Sequence, residues 1–125
     1  MKILIVEDSS NISRQHEISL EEIFQEDLNL SKPDIKIVTT EEDAVREMNE
    51  NNYDLATLDN SLANGGKGVI VLKKIPKEYF SKIISISTDE TLFDYYRSQG
   101  VLVLDKNNAD HDHLLPLVKK ILGLK

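Results

Sequence analysis

The chain has 125 residues, with 15 Lys+Arg against 22 Asp+Glu, a formal charge of −7, and 40% hydrophobic residues. That is the length of one globular domain with enough apolar material for its own core, and its acidic balance argues against direct binding to nucleic acid or anionic membrane, which needs clustered cations. There is no cysteine, so disulfides, thiol nucleophiles and thiolate metal sites are excluded.

Met1-Lys2 leads straight into Ile3-Leu4-Ile5-Val6. This run is too short for a secretory leader and reads as a strand covered on both faces. No stretch reaches the roughly 20 apolar residues of a membrane span, and a cytoplasmic location is the expectation. Ser9-Ser10-Asn11 offers N-cap side chains, and Ile12, His16, Leu20, Ile23, Phe24 and Leu28 follow at helical spacing, which predicts a first helix from about Asn11 to Leu28. Ser31-Lys32-Pro33-Asp34 breaks it, and Asp34 to Val38 is a short strand. Thr39-Thr40 before Glu41-Glu42-Asp43 is a capped, dipole-matched helix start. Tyr53-Asp54-Leu55-Ala56-Thr57-Leu58-Asp59 reads as a buried strand running into a carboxylate. Asn64-Gly65-Gly66-Lys67-Gly68 must turn sharply. Val69, Ile70, Leu72 and Ile75 predict a short third helix stopped by Pro76. Ile83 to Ser87 is a fourth strand. Leu92, Phe93 and Tyr96 lie on a short fourth helix with Gly100 as its C′ residue. Val101 to Leu104 is the fifth strand. Leu114, Leu117, Val118, Ile121 and Leu122 mark a last helix, placed from about Asp112 so that Pro116 falls in its first turn.

Five β-α units with short connections predict a parallel sheet with helices on both faces, closed by right-handed crossovers into a doubly wound α/β domain spanning residues 1–125. In such a sheet, ligands bind beyond the carboxyl ends of the strands. The strand ends here carry Glu7-Asp8, Asp59, Ser87 and Lys106. Three acids, a hydroxyl and an amine suit a Mg²⁺-dependent phosphoryl site: a hard cation with oxygen ligands offsets the repulsion between a carboxylate nucleophile and a phosphoryl group. Each residue also has a structural reading. Asp59 can cap the following turn, Glu7-Asp8 can cap the first helix, Ser87 is a common strand-end residue and Lys106 a solvated one; it is their conjunction that favours chemistry. His16 reads as a packing residue on an apolar stripe. In Asp110-His111-Asp112-His113, residues two apart on a helix do not face each other, so the segment reads as surface rather than metal site. The glycine-rich loop lacks the spacing of a P-loop.

Four segments, Lys2 to Asp8, Tyr53 to Asp59, Ile83 to Thr88 and Gly100 to Lys106, together resemble a response-regulator receiver domain of two-component signalling, over essentially the whole chain. The resemblance implies a flavodoxin-like five-stranded sheet of order 2-1-3-4-5. It implies Asp59 as phosphoacceptor, Lys106 and Ser87 as the lysine and switch hydroxyl that meet the phosphoryl oxygens, and Mg²⁺ held by Asp8, Asp59, Glu7 through water, and the backbone carbonyl of Ser61. It also implies a histidine kinase or histidine phosphotransfer protein as donor, an unnamed downstream protein as target, and catalysis only of the domain's own phosphorylation and dephosphorylation. The chain departs from the family pattern where Val103 replaces an aromatic residue, Asn107 a proline, Ala63 a proline and Thr88 a small residue, and where the segment from Ser87 to Lys106 is short, which predicts a truncated fourth helix. With Asn107 in place of proline, a trans Lys106–Asn107 bond is expected. Two other functions compete: a phosphorylation-independent adaptor with this fold, motivated by Val103 and the short helix, and a Mg²⁺-dependent phosphatase, disfavoured because Ser61 supplies no general acid.

Overall fold

Strands form where β-branched and aliphatic runs can be buried on both faces. The computed structural model describes residues 1–124 and contains β1 (Lys2–Val6), β2 (Asp34–Val38), β3 (Leu55–Asp59), β4 (Ile83–Ser87) and β5 (Leu102–Asp105), all parallel and ordered 2-1-3-4-5. The helices are α1 (Ser10–Glu22), α2 (Glu41–Glu50), α3 (Gly68–Lys73), α4 (Phe93–Ser98) and α5 (His111–Leu122).

Successive strand residues point to opposite faces, so each central strand feeds two cores. Leu4, Val6, Ala56, Leu58 and Ile83 pack with Ala44 and Met48 of α2, Val71 and Leu72 of α3 and Tyr96 of α4. Ile3, Ile5, Leu55, Ile84 and Ile86 pack with Leu20 of α1 and Leu114 and Val118 of α5. Each fully buried aliphatic contributes about 1.5–3 kcal/mol, and β1, β3 and β4 are almost wholly buried. β5 differs: all its residues are half-buried, because it is an edge strand and α4 is only six residues long. The fourth helix is therefore truncated, as its sequence predicts.

The helix ends follow their side chains. Ser9 caps α1, Thr40 caps α2 and Asp110 caps α5, each accepting the N–H of the residue three ahead. Gly100 (φ +83) closes α4 in a left-handed conformation, with its N–H on the Arg97 carbonyl and Val101 N–H on the Tyr96 carbonyl, the double closure of a Schellman motif.

Three boundaries differ from the sequence expectation. The first helix is not α-helical to Leu28; after Glu22 the chain widens into a π-helical turn, Ile23–Asp27, with Leu28 N–H on the Ile23 carbonyl. Adjacent Ile23 and Phe24 are both fully buried there, and the wider turn accommodates both. β5 starts at Leu102 rather than Val101, which is spent on the α4 closure. α5 starts at His111, so Pro116 lies in its second turn rather than its first. The missing bond leaves only the Asp112 carbonyl, and both residues are on the exposed side of the helix. All peptide bonds among the described residues are trans, Lys106–Asn107 included.

The π-helical turn also shapes a clamp on α5. His111 Nε2 lies 2.9 Å from Asp27 Oδ1, and Nδ1 lies 3.2 Å from Glu22 Oε2. Both ring nitrogens donate only in imidazolium, and the hydrogen bonds it gives to Asp27 first and Glu22 second raise the His111 pKa above 6.5. A raised folded-state value means that the clamp's stability is fully present below the ordinary value of 6.5 and is lost as pH rises through the folded value. The melting difference between wild type and His111→Gln is therefore expected to be largest near pH 5–6 and to shrink towards about pH 9. A difference independent of pH would refute the clamp.

Candidate phosphoryl-accepting site

The site is built by three adjacent strand ends. Val6 pairs with Leu58 and Asp59 with Ile86, so Glu7 and Asp59 emerge side by side at the carboxyl edge. Glu7 is 1% and Asp59 6% exposed, whereas Asp8 is open to solvent. Carboxylate oxygens of Glu7, Asp8 and Asp59 lie within 4.8 Å of one another. Lys106 follows β5 and reaches back between two of them. Its Nζ donates to Asp59 Oδ2 at 3.0 Å. It also lies 2.8 Å from Glu7 Oε1, at ion-pair distance but outside hydrogen-bond geometry. Glu7 Oε2 accepts the Ser9 N–H at 3.1 Å, which ties the acid to the start of α1.

The charges tune one another. Burial, the largest single influence on Lys106, opposes its charge, but Glu7 and Asp59 together outweigh it and raise its pKa. Asp8 is raised as well, first by its contact with the Glu7 side chain and second by burial. One ammonium among three clustered carboxylates leaves the site negative, and this all-oxygen donor set fits a hard divalent cation. Glu7, Asp8 and Asp59 are the residues that would hold it.

Lys106→Met keeps the stem and removes the ammonium, leaving Glu7 buried without its counter-charge. Breaking a fully buried pair costs roughly 3–5 kcal/mol. The Lys106 side chain is 20% exposed, so a loss of about 2–3 kcal/mol is expected at neutral pH. Denaturant unfolding of wild type and variant at neutral pH checks this, and an unchanged midpoint would show that Lys106 is not a structural counter-ion.

Ser87 is buried at the end of β4, where its Oγ accepts the Asp89 N–H at 3.0 Å. Asp89 itself caps the turn Glu90–Leu92 through Thr91 N–H, and Thr88 is exposed. Ser61 lies in a small hairpin: it bridges Lys67, flanked by bonds from Gly68 N–H to the Asn60 carbonyl and from Leu62 N–H to the Gly66 carbonyl. Neither bond uses the Ser61 carbonyl. The hairpin turns through Asn64 (φ +61) and Gly65 (φ +75) and rests on the end of β2, where Ala63 N–H donates to the Thr39 carbonyl. Glu41 Oε2 accepts Lys67 N–H at 3.1 Å, which fastens it to α2.

His16 is 4% exposed with an unpartnered Nδ1, and burial lowers its pKa. It is not among the three clustered carboxylate residues, although the charges of Glu7 and Lys106 act on it. His111 and His113 point to different carboxylates, Glu22 and Asp27 for the first and Asp110 for the second, and the Asp110–His113 stretch makes no metal cluster among the described residues. Sequence reasoning missed Asn60, which follows Asp59 and accepts hydrogen bonds from Tyr96 and Val69. An Asn next to the acid, with Gly68 downstream, was the only local signal for that contact.

No protein-family model matches the chain. No curated protein matches it. Solved structures do. The receiver domain of a Francisella response regulator is 21% identical, covers 98% of this chain and 96% of its own, and superposes with a TM-score of 0.76. A CheY-like response-regulator receiver domain from Methylobacillus flagellatus is 21% identical over 97% of this chain and 98% of its own, with a TM-score of 0.76. The receiver domain of a sensor histidine kinase from Pseudomonas aeruginosa PAO1, described with a magnesium ion coordinated in its active-site cleft, is 17% identical over 98% and 97%, with a TM-score of 0.74. With the strand order 2-1-3-4-5 and the helices around it, the chain has the fold of the response-regulator receiver domains.

Proposed function

We propose that the protein is a phospho-accepting receiver. Asp59 takes a phosphoryl group from a phosphohistidine of a sensor kinase or phosphotransfer protein, and the resulting change in charge at the strand ends signals to, or is relayed to, a downstream protein. The observation that carries this reading is the Lys106 ammonium set against the Asp59 carboxylate within a cluster of three acids at the carboxyl edge of the sheet.

The chemistry follows from the residues. An Asp59 oxygen attacks phosphorus, the N–P bond of the donor breaks, and an acyl phosphate forms. Mg²⁺, when bound, supplies the charge neutralisation that lets an anionic phosphoryl group approach an anionic nucleophile. Lys106 fixes the carboxylate in place before transfer and offers its ammonium to the phosphoryl oxygens afterwards. Ser87 has a hydroxyl hydrogen to give in addition to the bond it accepts, so it suits the role of donor to the new group. The resident chemistry is limited to gaining and losing this group, which makes the protein a signalling module rather than an enzyme acting on a separate substrate.

Incubation with acetyl phosphate and Mg²⁺, followed by intact mass analysis, tests the reading. A single phosphoryl adduct that disappears when Mg²⁺ is chelated supports it. Absence of an adduct with both acetyl phosphate and a phosphohistidine donor sinks it and leaves a phosphorylation-independent adaptor.

A further inference from the structure

Tyr96 is fully buried although it belongs to a helix of only six residues. Its phenol donates to Asn60 Oδ1 at 3.1 Å. The same oxygen accepts Val69 N–H at 3.4 Å, and the Asn60 carbonyl accepts Gly68 N–H at 2.8 Å. The residue directly after Asp59 is thus gripped by the start of α3 and by α4. The fit is close: a Cβ on Gly68 would lie 2.6 Å from the Asp59 carbonyl oxygen and 3.0 Å from the Tyr96 phenol oxygen. Burial pushes the phenol pKa up to about 12, the Ser85 hydroxyl beside it opposing, so the group remains a donor across the physiological range.

The other end of Tyr96 is also engaged. Its carbonyl accepts Val101 N–H at 3.0 Å, at the lead-in to β5. β5 then ends at Lys106, whose ammonium returns to Asp59. Asp59, Asn60, Tyr96, Val101 and Lys106 therefore close a ring of covalent and hydrogen-bonded links, with α4 as one side of it. A displacement of the Asp59 peptide is resisted, or transmitted, at Tyr96.

We propose that Tyr96 is a positioning residue which ties α4 to the peptide after Asp59, so that α4 and the lead-in to β5 move with the charge state of the Asp59 carboxylate. The inference rests on the phospho-accepting reading. Because coupling is reciprocal, whatever holds α4 also shifts the loading of Asp59.

The test is amide hydrogen exchange with and without Mg²⁺ and beryllofluoride, a phosphoryl mimic, in wild type, Tyr96→Phe and Asn60→Ala, with acetyl phosphate labelling run alongside. In wild type, protection changes both at Asn60–Ser61 and at Arg97–Val101. In Tyr96→Phe the change at Asn60–Ser61 persists, while that at Val101 falls by roughly two- to tenfold, the range that one neutral hydrogen bond carries. Asn60→Ala, which removes the same bond from its other end, gives the same loss, a result that simple core loosening at α4 would not reproduce. Equal responses at Val101 in wild type and both variants, or none in wild type despite a phosphoryl adduct, overturn the inference and leave the receiver reading standing. No adduct in wild type, from acetyl phosphate or from a phosphohistidine donor, overturns both.

Discussion

Asp59→Asn is expected to abolish the phosphoryl adduct completely while the protein stays folded. The amide is nearly isosteric with the carboxylate but has no anionic oxygen to attack phosphorus. Asp59 is buried and its Oδ2 accepts from Lys106; an amide oxygen can accept in the same place. Lys106 also retains Glu7 at 2.8 Å. Removing one of three clustered negative charges relieves repulsion as it weakens that contact, so stability is expected to change by less than about 1 kcal/mol. Mg²⁺ affinity falls with the loss of one charged donor from the set of Glu7, Asp8 and Asp59. Intact mass after acetyl phosphate treatment and a melting curve with and without Mg²⁺ check all three points. An adduct of wild-type extent on Asp59→Asn would place the phosphoacceptor elsewhere.

Gly68→Ala is expected to be the tightest Gly→Ala change among the chain's glycines. The added Cβ would stand 2.6 Å from the Asp59 carbonyl oxygen and 3.0 Å from both Asn60 Cα and the Tyr96 phenol oxygen. Two of these neighbours are backbone, so relief requires moving either the start of α3 or the Asp59–Asn60 peptide. Overpacking of this kind costs about 1–3 kcal/mol, and here it also displaces Asp59, the proposed phosphoacceptor, so phosphoryl labelling is expected to slow along with the drop in melting temperature. Gly65→Ala is the control. Gly65 has φ +75 with nothing within 4 Å of a Cβ, so that substitution costs only the left-handed strain of about 1–2 kcal/mol and leaves labelling at the wild-type rate. Equal labelling rates in the two variants would show that the close approach at Gly68 does not position Asp59.

The chain's elements were legible where the signal is local. Ile3 to Val6, Leu55 to Leu58 and Ile83 to Ile86 are short apolar runs bounded by polar residues, and each is a central strand. Ser9, Thr40 and Gly100 announced their helix ends. The errors fell where the winning term was not local. The π-helical turn at Ile23–Asp27 lets two adjacent bulky residues reach one core, and Pro116 sits one residue deeper than expected because Asp110 makes the cap.

What the sequence patterns determined by themselves is the α/β class, a parallel doubly wound sheet and the delivery of Glu7, Asp8, Asp59, Ser87 and Lys106 to one edge. Those follow from period-2 and period-3.6 patterns and from the residue that happens to end each run, whereas the strand order 2-1-3-4-5 was implied only by the resemblance to receiver domains. What only the tertiary structure decided is which of these groups touch. Lys106 bridges Asp59 and Glu7, residues 47 and 99 positions away in the chain; Tyr96 reaches Asn60 across 36; and the hairpin at Asn64-Gly65 folds onto β2 and α2. Such contacts depend on how far a helix or loop carries a side chain over the sheet, a quantity set by packing of the whole core and written in no single segment.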